Sequence, residues 1–211
     1  LLDAVPAIND VAYVEGEQVV NIGSQDMSND VWLVLAKRVN ELLAQTDVDA
    51  VVITHGTDTM EETAFFLSLV TNSNKPVVLV GAMRPSTAIS ADGPVNLYNA
   101  VVTAASPASM GRGVLVCMNG KVYGAADVTK TNTTSVETFQ SPNSGPLGYI
   151  HNGEVRFFRP AAKLTDAPYF NIAGLKALPK VGIAYGYSSV EGDVVKMMIK
   201  KDYKGIVYAG V

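Results

Sequence analysis

Hydroxyl, carboxylate and amine side chains that could carry chemistry gather in three short segments of this 211-residue chain. The densest is His55-Gly56-Thr57-Asp58-Thr59, directly after the apolar run Val51-Val52-Ile53. A threonine hydroxyl is a poor nucleophile until a base takes its proton, and a neighbouring carboxylate can hold a cationic group. Gly56 permits a sharp turn. If a strand runs into a helix here, Thr57 and Asp58 project into a crevice near the positive end of that helix. Helix capping is the competing reading. It is the better one for Thr59, whereas for Thr57 and Asp58 position alone leaves capping and function level.

The second segment is Asn21-Ile22-Gly23-Ser24-Gln25-Asp26-Met27, after Val19-Val20. Its polar side chains could bind a small zwitterion, but taken alone an ordinary strand-to-helix loop explains it as well or better. The third is Asp127-Val128-Thr129-Lys130-Thr131-Asn132-Thr133-Thr134. A lysine among threonines can act as a base where burial or neighbours lower its pKa. Most lysines are simply solvated. Asn132-Thr133-Thr134 also fits a glycosylation sequon, a short pattern that arises by chance.

Several chemistries lack their usual residues. The two histidines, His55 and His151, have no partner at metal-ligand spacing, so neither a metal nor any other cofactor is expected. No G-x-S-x-G elbow, phosphate-binding G-x-x-x-x-G-K-[ST] loop or G-x-G-x-x-G turn occurs. A net charge of −4 and a pI of about 5.1 argue against a nucleic-acid partner. The single cysteine, Cys117, lies in the apolar run Val114-Leu115-Val116-Cys117-Met118 and reads as core. No run approaches the roughly 20 apolar residues that span a bilayer, and no membrane partner is expected. The start, Leu1-Leu2-Asp3-Ala4-Val5-Pro6, has no Met and no basic stretch, so as it stands it is not a signal peptide. The expectation is a chain trimmed at both ends.

The elements that must position these segments alternate in type. Residues 51–53, 77–80 and 114–116 are continuous apolar runs, as suits parallel strands covered on both faces. Between them lie helical patterns. Thr59-Met60-Glu61-Glu62 has capping-box spacing with acids in the first turn, followed by Ala64, Phe66, Leu67 and Val70. Asp92-Gly93-Pro94 is a helix start, with Leu97, Val101 and Ala104 on one face. Upstream, Trp32, Leu35, Val39 and Leu42 form an apolar stripe over residues 31–43; Trp32 is given no functional role. Lys121-Val122-Tyr123 and the turn His151-Asn152-Gly153-Glu154 suggest a hairpin. The order predicts an α/β fold with a doubly wound, largely parallel sheet. Residues 1–157 form that large domain, residues 158–178 a linker, and residues 179–211 the start of a second, smaller α/β domain.

These blocks resemble the bacterial L-asparaginase family. His55-Gly56-Thr57-Asp58-Thr59-Met60-Glu61-Glu62-Thr63-Ala64 matches the family's second signature. Gly23-Ser24-Gln25-Asp26-Met27, Val80-Gly81-Ala82-Met83-Arg84-Pro85, Ser90-Ala91-Asp92-Gly93-Pro94 with Asn96-Leu97, and Asp127-Val128-Thr129-Lys130-Thr131-Asn132 match four further blocks in order. The likeness covers essentially the whole chain and is strongest to the type II, periplasmic, asparagine-preferring branch. It implies a flavodoxin-like large domain and hydrolysis of L-asparagine to L-aspartate and ammonia through a threonine-based acyl-enzyme. Glutaminase-asparaginase of mixed specificity and a non-catalytic amino-acid-binding fragment are the alternatives.

By the same resemblance, Thr57, Asp58 and Lys130 match a triad in which lysine and aspartate polarise the threonine hydroxyl. Ser24, Gln25 and Asp58, with Thr57, match groups that hold the substrate's α-carboxylate and α-ammonium. Ala82 matches the backbone position near the scissile amide. A homotetramer with active sites shared between subunits is implied, in the periplasm, with the cytoplasm as alternative. One departure stands out: the first family signature, T-G-G-T-I, which carries the threonine usually assigned in the family as the attacking nucleophile, does not occur in these 211 residues, nor does the tyrosine loop after it. The expectation is that the chain by itself is inactive and that these segments lie outside it.

Overall fold

The computed structural model describes residues 2–161 and 169–210. Two compact units divide the chain, Leu1–Ala173 and Gly174–Val211.

The first unit is built on a six-stranded sheet in the order β1-β2-β3-β4-β7-β8. Strands β1 (Val51–Thr54), β2 (Val77–Val80) and β3 (Val114–Met118) run parallel. Strands β4 (Lys121–Gly124), β7 (Gly148–His151) and β8 (Glu154–Phe157) continue as an antiparallel meander. Two-residue turns make the meander possible. Asn119-Gly120 and Asn152-Gly153 all hold positive φ (+50°, +70°, +51° and +74°), the geometry that matches the twist of a tight hairpin. A separate two-stranded ribbon pairs β5 (Thr129–Lys130) with β6 (Phe139–Gln140).

Helices cover both faces. Helix α3 (Gly93–Ala105) packs Leu97, Ala100, Val101 and Ala104 against Val78, Val80, Leu115 and Cys117, and Ile8 closes that core. The alternate residues Leu79 and Val116 are equally buried and face the other way, where α2 (Met60–Val70) meets β3. This two-sided burial is why β2 and β3 read as unbroken apolar runs. Burial also pushes the Cys117 thiol pKa up to about 12, so it packs as a small hydrophobe and is inert.

Helix α1 (Asn29–Leu43) begins two residues earlier than its apolar stripe, because the Ser28 hydroxyl accepts from the Val31 N–H (3.4 Å) as an N-cap. Its buried residues are Leu33, Leu35, Ala36, Val39 and Leu43, whereas Trp32 and Leu42 are only partly covered. Trp32 instead stacks on Phe66 of α2, with centroids 5.7 Å apart.

In the second unit β9 (Val181–Tyr185) and β10 (Gly205–Ala209) pair in parallel, and α4 (Asp193–Lys200) lies against β9. Gly182 lets Met198 sit close, since a Cβ there would lie 2.6 Å from its sulfur. Of the stretch read as linker, residues 162–168 lie outside the described residues. Phe170, beyond them, donates its N–H to Leu69 O (2.8 Å), and Ile172 is buried in the first unit. No described helix is long and apolar enough to cross a membrane.

Candidate active site

The carboxyl ends of β1 and β2 lie side by side, and in open α/β sheets this edge is where ligands bind. The chain leaves β1 into His55-Gly56-Thr57-Asp58-Thr59 and leaves β2 into Gly81-Ala82-Met83. His55 N–H prolongs the pairing by donating to Val80 O (2.8 Å). Two glycines then let three segments converge. A Cβ on Gly56 would fall 2.6 Å from Ser24 Oγ, and one on Gly81 would fall 2.5 Å from His55 O.

Ser24 is buried on a single 3-10 turn, Ser24–Asp26. Its Oγ accepts the Asp58 N–H (3.1 Å), and its carbonyl accepts the Thr59 hydroxyl (2.7 Å). Thr59 stands at the N-cap position of α2 but makes no side-chain cap bond; the capping reading is corrected here. Its hydroxyl reaches the neighbouring loop and ties Ser24 to the start of α2.

Lys130 enters from β5. Its Nζ lies 3.0 Å from Thr57 Oγ1 and 2.6 Å from Asp58 Oδ1. The lysine side chain is 14% accessible and the aspartate 57%. The amine is thus held under a carboxylate that still faces solvent and can take a second cation. Glu61, in the first turn of α2, accepts the Thr129 hydroxyl (2.9 Å) and the Lys130 N–H.

Two polar networks brace this edge. His55 Nδ1 lies 2.6 Å from Gly56 O, and its Nε2 lies 2.9 Å from Thr63 Oγ1, which also accepts Trp32 Nε1–H (2.8 Å). The Gly56 carbonyl fixes the tautomer. It can only accept, so the proton of the neutral ring sits on Nδ1, and Nε2 is left to accept the Thr63 hydroxyl. Burial holds the His55 pKa below its ordinary value, against a smaller opposing effect of the Gly56 carbonyl. On the β2 side, the buried Asp92 carboxylate accepts from Met83 N–H (3.0 Å), Arg84 N–H (2.9 Å) and the Asn96 amide (3.0 Å). The Asn96 amide also donates to Gly81 O (3.0 Å), so Ala82 is clamped on both sides.

This is a hydroxyl, an amine and a carboxylate at one sheet edge, lined with fixed backbone groups. The family model described as Asparaginase, N-terminal, matches residues 1–163. The chain belongs to the asparaginase family. It is 59% identical over its whole length to L-asparaginase 2 of Escherichia coli (strain K12). It is 58% identical to a probable periplasmic L-asparaginase of Haemophilus influenzae and 47% identical to a glutaminase-asparaginase of Pseudomonas fluorescens biotype A, again over its whole length. The chain spans 60%, 60% and 58% of the lengths of these three relatives.

Within this chain, Ser24, Thr57, Asp58 and Lys130 come together, joined by the contacts above. Gln25 shares the Ser24 turn, but its amide folds back over Gly23 and donates to Asp26 (3.4 Å). Ala82 stands at the end of β2, near Gly93 at the head of α3. Sequence reading missed Glu61, taken only as a first-turn acid, and Trp32, taken only as core. Both act on residues far along the chain, and no local spacing signals such a contact.

Proposed function

We propose that this chain supplies most of the catalytic edge of an L-asparaginase, which hydrolyses L-asparagine to L-aspartate and ammonia. The observation that carries the reading is the 3.0 Å contact of Lys130 Nζ with Thr57 Oγ1, with Asp58 at 2.6 Å from the same amine. Transfer of the Thr57 hydroxyl proton to the Lys130 amine activates the oxygen, and Asp58 stabilises the ammonium that results. A threonine oxygen so activated adds to the amide carbon. The C–N bond breaks as the leaving nitrogen takes a proton, giving ammonia and an acyl ester. Water then cleaves the ester, releasing aspartate and restoring the hydroxyl.

Thr57, Asp58 and Lys130 form the catalytic group in this reading. The exposed side of Asp58 receives the substrate α-ammonium, a charge-assisted contact. Ser24 and Gln25, beside Thr57, receive the α-carboxylate, and the clamped Ala82 peptide faces the amide. The flanking identities support asparagine over glutamine, 59% to the Escherichia coli asparaginase against 47% to the Pseudomonas glutaminase-asparaginase. The printed name of the Haemophilus relative supports a periplasmic location. A homotetramer with shared sites and the division into residues 1–157, 158–178 and 179–211 belong to the same proposal.

The test is ammonia release from L-asparagine and L-glutamine by the protein expressed from its complete reading frame. One methylene is discriminated by about 1–3 kcal/mol, so kcat/KM should favour asparagine by about ten- to two-hundredfold. Failure to release ammonia from either amide at any pH would overturn the reading; equal ratios would move it to the mixed-specificity class.

A further inference from the structure

We propose that Glu61 is a positioning residue for Lys130, locking the lysine to the loop that carries Thr57 and Asp58. The inference rests on the functional reading above and deepens it.

Lys130 stands on a short ribbon. Strand β5 has two residues and pairs only with the two residues of β6, apart from the main sheet. Val128, Thr138 and Phe139 anchor the ribbon by burial, but a two-stranded ribbon leaves the outward amides of β5 without a strand partner. In this ribbon Thr131 N–H donates to Thr138 O (2.8 Å), so the Lys130 N–H points away from β6, where an edge amide has no ladder partner. Glu61 meets it there. One carboxylate oxygen accepts the Lys130 N–H, and the other accepts the Thr129 hydroxyl at 2.9 Å.

The location of Glu61 gives this contact its consequence. It lies in the first turn of α2, two residues after Thr59, where an acid is also favoured by the helix dipole. The loop that presents Thr57 and Asp58 runs directly into that turn. A bidentate contact therefore joins the hydroxyl and carboxylate on one side to the amine on the other. Chain segments almost 70 residues apart become one rigid group. Glu61 touches neither Thr57 nor the Lys130 amine, so it acts through the backbone of β5.

Three variants separate position from charge and from bulk stability. Glu61→Gln keeps both bonds: its carbonyl accepts the Lys130 N–H, and its amide donates to Thr129 Oγ1, whose hydroxyl can turn to accept. Glu61→Ala removes both. Thr129→Val removes one and serves if Glu61→Ala fails to fold. The protein expressed from its complete reading frame is assayed with asparagine, and amide hydrogen exchange is followed over residues 128–132.

Glu61→Ala should speed exchange at Lys130 and lower kcat about 100-fold, the scale of a 1 Å misplacement of a catalytic group, with KM changed far less. Glu61→Gln should restore slow exchange and most of kcat, and Thr129→Val should fall between. Unchanged exchange in Glu61→Ala overturns the clamp whatever the substrate proves to be. Faster exchange with wild-type kcat overturns the positioning role, as does a Glu61→Gln enzyme as slow as Glu61→Ala. No turnover by the unmutated protein, with exchange responding as stated, counts against the amidohydrolase reading and leaves the clamp standing.

Discussion

Substituting Gly56 by alanine tests how tightly the three site segments are packed. The added Cβ would stand 2.6 Å from Ser24 Oγ, 2.8 Å from Ser24 Cβ and 3.2 Å from Ser24 N. Carbon atoms prefer about 3.5–4.0 Å, so rotating the serine hydroxyl away leaves the Cβ overlap in place. Ser24 cannot swing aside, because its carbonyl is held by Thr59 and its Oγ by Asp58 N–H. The 3-10 turn as a whole must retreat. Overpacking of this kind costs about 1–3 kcal/mol. Loss of the Ser24–Asp58 bond adds about 1 kcal/mol. Gly56 is not among the residues with positive φ, so alanine also stiffens the unfolded chain and returns about 0.4–1 kcal/mol. The net is a destabilisation of about 1–3 kcal/mol, read by urea denaturation. Calorimetry with aspartate should show weaker binding, since Ser24 moves with its turn. Removing the obstacle should rescue the variant: Gly56→Ala combined with Ser24→Gly should be less destabilised than the two single changes summed. A Gly56→Ala protein as stable as the parent, or a strictly additive double variant, would refute this packing argument.

Acid should weaken the fold through His55. Its folded pKa is depressed by burial, so below the ordinary histidine value of about 6.5 the unfolded chain binds a proton that the folded chain refuses. Stability is full above that pH and falls as pH drops towards the folded value; His55→Gln should flatten this part of a urea-midpoint profile, and parallel profiles would count against it. Asp92→Ala should cost about 2–4 kcal/mol, because Met83 and Arg84 N–H groups and the Asn96 amide lose a charged acceptor. Asp92→Asn should recover part of that loss in the same denaturation assay.

Runs buried on two faces were the most legible part of the fold. Val77-Val78-Leu79-Val80 and Val114-Leu115-Val116 announce covered strands, and Asn152-Gly153 announces its turn, because each signal is local. The α1 stripe ends one position later than its apolar pattern suggests: Leu43 rather than Leu42 completes the i, i+4 face of Leu35 and Val39. Thr59 shows why caps are hard to infer. Its spacing fits a capping box, but the Ser24 carbonyl, 35 positions away in sequence, competes for the hydroxyl and wins. The candidate site was legible as residue types, through hydroxyls, a carboxylate and a lysine in polar breaks between apolar runs. Their meeting was not, since Lys130 reaches Thr57 across 73 positions, and only the family likeness pointed to it. Glu61 and Trp32 were hidden for the same reason.

The most direct trial of the account is a double-mutant cycle between the amine and the hydroxyl, Lys130→Met and Thr57→Val, in the protein made from its complete reading frame. Each single change should lower kcat/KM for asparagine by about 10²–10⁴-fold, and the pair together should be scarcely worse than either alone, as for groups that act as a unit. Losses that multiply, or a Lys130→Met protein that keeps nearly all of its turnover, would contradict it.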